Sequence, residues 1–172
     1  MPQGRMFVCA GSNMTIASGG SYNLITLWTA TTVGAAGSVI VPHRIEISQS
    51  ASTTSTMVYG SVSTCLAVTG TGGTSLATSP LVGLTTGATA SGISGSATIS
   101  TAHSSGPAVT WVPTTPVILW DFGFNILNGY LWVATPPEYF TIYNNVCFAV
   151  SLLGTPGSLT GWNCTIVYEE VV

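Results

Sequence analysis

The chain contains no lysine, and of its 172 residues only two arginines and five carboxylates carry a formal charge. Charged residues make up 4% of the sequence, whereas soluble domains usually carry about a quarter. This shortage constrains the fold more than any motif does. Strong helix formers are nearly missing: glutamine occurs only as Gln3 and Gln49, and glutamate four times. Strands tolerate that poverty better, but their exposed edges are commonly blunted with lysine. A lysine-free β protein must protect its edges in another way. The expectation is that copies of the chain, or partners, surround it.

Residue order supports strands. In Arg44–Ser48, Ile45 and Ile47 alternate with polar neighbours. Val146, Phe148, Val150 and Leu152 share one parity, and so do Trp162, Cys164, Ile166 and Tyr168. The Val58, Gly60, Val62 stretch behaves similarly. A period of two places such sets on one face of a strand. No window of ten or more residues shows a helical period. Roughly eight to ten short strands separated by Gly, Pro and Asn turns predict an antiparallel β-sandwich, jelly-roll-like. A length of 172 residues suits one domain over 1–172. Residues 1–12 are expected to form an N-terminal arm, in which Arg5 pins the chain to a partner. Residues 69–106 have no formal charge and no Phe, Trp or Tyr. They read as a long Gly/Ser/Thr-rich excursion, anchored by Leu76, Leu81, Val82, Leu84, Ile93 and Ile99, and a structureless loop of that length is unusual. Contact with a neighbouring subunit is expected to order it.

Composition excludes several classes of function. Two arginines against a net charge of −3 cannot neutralise a run of phosphates, so nucleic acid is not an expected partner. No apolar run reaches 18 residues; the best stretch, 117–133, is broken by Asp121, Gly123, Asn125, Asn128 and Gly129, so no membrane partner is expected. The N-terminus lacks an apolar signal core, which predicts synthesis in a cytoplasm. Cys9, Cys65, Cys147 and Cys164 form no CxxC pair and are expected to be small buried hydrophobes. Asn13-Met-Thr15 and Asn163-Cys-Thr165 match the glycosylation sequon, but in so Thr-rich a chain they read as chance.

Catalytic constellations are equally sparse. His43 or His103 with Asp121 is the only material for a triad, and no G-x-S-x-G elbow accompanies them. Glu169 and Glu170 are neighbours on one strand and point to opposite faces. No HxH or HExxH spacing offers a metal site. The expectation is a non-enzymatic protein with no cofactor and no metal. The aromatic weight falls on Trp111–Trp132 and on Leu24–Trp28, which is apolar on both faces and so needs cover on both sides. Arg5, Phe7, Trp28, Trp120, Phe122, Phe124, Tyr130 and Trp132 are the candidate interface residues, since Trp, Tyr and Arg dominate binding anchors.

Several segments together resemble one family: GRMF at 4–7, the strand near Leu24–Trp28, IEISQS at 45–50, GGTSLATSPL at 72–81, NGYLWVATPPEYFTI at 128–142 and TIVYEE at 165–170. The chain resembles small virion structural proteins of tailed bacteriophages, and the 128–142 block is the most specific piece. The resemblance implies a capsid decoration, or cement, protein whose partner is the major capsid protein. It also implies a location on the capsid surface. A homotrimer on a local three-fold axis adds several weak contacts together. The rival expectation is a tail- or fibre-associated carbohydrate-binding or adhesion module, in which Trp111, Trp120 or Tyr130 stacks on sugar rings.

Overall fold

A computed structural model of the chain describes residues 5–16, 22–28, 39–66, 74–76, 78–80, 97–99, 117–143, 146–154 and 156–171. They contain eleven strands and no helix: β1 (Arg5–Met14), β2 (Tyr22–Trp28), β3 (Val39–Gln49), β4 (Met57–Leu66), β5 (Thr74–Leu76), β6 (Thr78–Pro80), β7 (Ala97–Ile99), β8 (Val117–Asn125), β9 (Tyr130–Val133), β10 (Val146–Leu153) and β11 (Trp162–Val171). One sheet runs β6-β1-β11-β3-β9 and the other β5-β7-β2-β10-β4-β8. Every pairing is antiparallel. Each sheet is therefore four long strands, extended by the three-residue strands β5, β6 and β7. The sheets stay open and face each other as a sandwich.

The alternation read from the sequence sets the inner faces. Ile45 and Ile47 of β3, Phe148, Val150 and Leu152 of β10, and Trp162, Cys164, Ile166 and Tyr168 of β11 are all buried in one core. Burial of such side chains stabilises by about 1.5–3 kcal/mol each. Trp162 fills the core without stranding its indole N–H, which donates to Ser158 O at 2.9 Å. Leu24, Ile25 and Leu27 of β2 are buried too, in a strand flanked on both sides by β7 and β10. Cys9 and Cys164 lie in the same core as free thiols. Burial pushes the Cys9 thiol up to about 12, and burial together with the neighbouring Cys9 raises Cys164 as well.

One expectation changes. The arm predicted over residues 1–12 is, from Arg5 onward, strand β1, paired with β11 from Arg5↔Glu170 to Met14↔Trp162. Phe7, fully buried against Tyr168 at 5.8 Å between ring centroids, is what draws this segment into the sandwich. Three pieces of the 69–106 excursion pair within the chain, β6 with β1, β7 with β2 and β5 with β7. The rest of that excursion, including His103, lies outside the described residues, as does Trp111.

The two sequon asparagines meet. Asn13 occupies a left-handed conformation (φ 51°) at the irregularity in β1, which asparagine tolerates better than most residues. Its backbone N–H donates to Asn163 Oδ1 at 2.9 Å, while Asn163 Nδ2 donates to Gly161 O at 3.2 Å. The Asn163 amide thus serves as a tie between strands.

Candidate functional site

β8 closes one edge of the six-stranded sheet and β9 the same edge of the other. The chain crosses between the sheets through residues 126–129. Asn125 organises that crossing: its carbonyl accepts from Asn128 N at 2.9 Å and its Oδ1 from Leu127 N at 3.0 Å. Gly129 follows at φ 71°, and a Cβ there would stand 2.7 Å from Ile47 O, so only glycine fits. This corner brings Tyr130 and Trp132 of β9 over the inward residues of β8.

The result is an aromatic assembly spanning the open side of the sandwich. Phe122 stacks on Tyr130 with centroids 4.2 Å apart and planes 13° from parallel. Trp120 lies 4.9 Å from Trp132 and meets Phe140 edge-on at 5.7 Å. Trp120 Nε1 donates to Tyr130 Oη at 3.3 Å, which fixes both rings' polar ends. Such ring pairs contribute about 0.5–1.5 kcal/mol beyond burial. Gly60 makes room for the arrangement: a Cβ there would lie 2.4 Å from Phe122 Cζ.

Between the two edge strands lies a cleft of about 450 Å³, lined by Leu119, Trp120, Asp121, Phe122, Tyr130, Trp132, Glu138 and Phe140. Asp121 is exposed on β8. Glu138 sits in the turn after β9, where its backbone N–H donates to Thr135 O at 2.7 Å and its Oε2 accepts from Thr135 Oγ1 at 2.6 Å. Around the cleft, Val117, Ile118 and Leu119 of β8 and Leu131 and Val133 of β9 are 39–63% exposed. Met57 and Tyr59 of β4 and Leu153 of β10 are also 40–59% exposed, on the six-stranded sheet.

The predicted interface residues separate into groups. Trp120, Tyr130 and Trp132 come together, half-buried, at the cleft. Phe7, Phe122 and Phe124 do not reach the surface as anchors: they are 0%, 8% and 6% exposed and belong to the core, because they take the inward parity of β1 and β8. Arg5 and Trp28 lie in β1 and β2, and their side chains are outside the described residues. Phe140, Leu119, Asp121 and Glu138 escaped the sequence reading as members of one site. Only the tight aromatic spacing of the 128–142 block pointed their way. His43 pairs with Glu169 (Nε2 to Oε2, 3.1 Å) and packs on Tyr139 at 5.1 Å, rather than joining Asp121. Among the described residues no three His, Cys, Asp or Glu side chains converge as a metal-ligand set. No helix of the described residues is long and apolar enough to cross a membrane.

No family model, curated protein or solved structure matches the chain.

Proposed function

We propose that this chain is a non-enzymatic virion structural protein that decorates and cements the capsid surface of a tailed bacteriophage. In this reading it docks through the β8–β9 edge, on other copies in a trimer and on the major capsid protein. The observation that carries the reading is that edge: two terminal strands without lysine, flanked by exposed Val117, Ile118, Leu131 and Val133 around an aromatic cleft. Unprotected strand edges beside apolar side chains favour pairing with another chain. The resemblance of 128–142 to phage virion proteins supports the location. A ligand that binds only the assembled shell shifts the equilibrium against disassembly, which is how cementing stabilises a capsid.

The strand order supports a jelly-roll reading of the sandwich. Numbering the eight long strands in chain order, the sheets run 1-8-3-6 and 2-7-4-5, the order produced by two Greek keys wound together. Such sandwiches serve both capsid and lectin proteins, so the fold alone does not choose between docking and sugar binding. The half-exposed rings of Trp120, Tyr130 and Trp132 favour a second reading, a carbohydrate-binding module. Co-sedimentation with capsids of the chain's own phage tests the proposal. The protein is expected to pellet with shells, and the folded Ile118→Lys/Leu131→Lys variant is expected not to. Equal pelleting of both would refute docking through this edge. A glycan array that captures the wild type would favour the second reading.

A further inference from the structure

Two of the four cysteines share a register position. In the antiparallel pairing of β4 with β10, Cys65 stands directly opposite Cys147. Register partners lie on the same face of a sheet, with Cα atoms about 4.5 or 5.5 Å apart according to the hydrogen-bonding position. Both spacings fall inside the roughly 4.4–6.8 Å that a disulfide spans. A slip of one residue would put the two cysteines on opposite faces. The ladder opposes such a slip: it runs without a bulge from Val146↔Leu66 to Leu153↔Tyr59, and it pairs Val62 with Val150, both fully buried in the core. The cysteine pair also lies near the end of the ladder, with only Leu66 and Val146 beyond it. Strand ends open more readily than strand centres, so a small oxidant reaches this pair at less cost than it reaches the core.

The other two cysteines provide the contrast. Cys9 and Cys164 also sit on neighbouring strands, but two steps out of register: Cys9 is opposite Ile166 and Cys164 is opposite Gly11. Diagonal neighbours of that kind stand about 7–8 Å apart, beyond the reach of a disulfide. Both are free and buried in the core, and burial holds their thiols protonated and so poorly reactive. We propose that Cys65 and Cys147 are a cross-link site, joined as a disulfide when the folded chain meets a disulfide oxidant such as oxidised glutathione. One cysteine thiolate attacks the oxidant and releases a first glutathione thiol. The second then attacks the mixed disulfide and releases the other. Two cysteine thiols are thereby oxidised, one glutathione disulfide is reduced, and the two protons end on the glutathione thiols. The bond closes a loop that contains residues 69–106 and β8, which pairs with β4 from Met57↔Asn125 to Thr64↔Val117. Constraint of the unfolded chain grows with the length of the closed loop, so a cross-link between strands this distant in sequence stabilises strongly. The six-stranded sheet then gains a covalent tie in oxidising surroundings and lacks it in reducing ones.

The test uses the full chain, kept in dithiothreitol and then exchanged, still folded, into oxidised glutathione. Acid stops the exchange, N-ethylmaleimide in denaturant caps the remaining thiols, and peptic peptides are mapped by mass spectrometry. A peptide pair joined through Cys65 and Cys147 is expected, with Cys9 and Cys164 capped. The oxidised chain should unfold roughly 10 °C above the same sample in dithiothreitol. Cys65→Ser and Cys147→Ser, each folded by circular dichroism, should lose that difference. Capping at all four cysteines, a glutathione adduct retained on Cys65 or Cys147 with no bond between them, or a link to Cys9, Cys164 or a second chain would each overturn the site. A Cys65–Cys147 bond that leaves the midpoint unchanged would overturn its stabilising role.

Discussion

The outward face of the five-stranded sheet and the β8–β9 edge adjoin, yet they are built for different surroundings. On β3 and β11 the outward positions include Arg44, Glu46, Ser48, Asn163, Thr165 and Glu169, interspersed with Val41 and Val167, and His43 lies beside Glu169. One strand further, the partners of Arg44 and Glu46 are Val133 and Leu131, both more than half exposed. The change from charged to apolar therefore occurs across one strand spacing, about 4.8 Å. A chain with seven formal charges has placed three of them, Arg44, Glu46 and Glu169, on one face. Low overall charge is not spread evenly over the molecule. The five-stranded sheet keeps an outward face suited to water, and the edge is left to be covered.

This contrast can be broken from either side. The largest effect should come from the core that both regions share: Trp162→Ala is expected to cost about 3–5 kcal/mol, read by denaturant unfolding. A loss below 1 kcal/mol would mean that the sheets do not pack as described. Next, Gly60→Ala places a methyl against the Phe122 ring and the Ser151 carbonyl. It should cost about 1–3 kcal/mol and disturb the Tyr130 ring that Phe122 supports, visible in the Trp120 indole signal.

The buried thiols sharpen the core side through pH. The folded pKa of Cys9 is raised above its ordinary value of 9.0 to about 12, so the unfolded chain releases this proton first. The stability tied to the neutral thiol is complete below pH 9 and falls as pH rises from about 9 towards 12. Unfolding at stepped pH should show that decline, and Cys9→Ala should reduce it while leaving the part due to the buried Cys164 thiol. On the edge, Ile118→Lys and Leu131→Lys should leave monomer stability within about 0.5 kcal/mol while abolishing association. A large loss of stability would make these residues core and erase the contrast. The smallest effect belongs to the charged face. Arg44 and Glu46 are 46% and 47% exposed, so Arg44→Ala should change the melting free energy by less than about 0.5 kcal/mol.

Much of the sandwich was legible because period-two parity is a local property. Ile45, Ile47, Phe148 and Trp162 announce their face in any five-residue window. The same parity, read too cautiously, left Phe7 in an arm, since one aromatic gives no period and its partner Tyr168 lies far along the chain. The cleft was half legible. Trp120, Tyr130 and Trp132 stand out by type, but Phe122 and Phe124 share that type and also the parity of Trp120 on β8; what buries them is their depth along the strand, with Phe122 beneath Tyr130. Asp121 and Glu138 reach the same space through a crossing between sheets, fixed by Asn125 and Gly129, which no window of sequence displays.

Sedimentation equilibrium at low and high salt, on the wild type and on Ile118→Lys/Leu131→Lys, decides whether the β8–β9 edge is an assembly surface. A wild-type trimer at both salt concentrations and a folded monomeric variant are expected. A wild-type monomer at both, or a variant that still forms the trimer, would contradict that role.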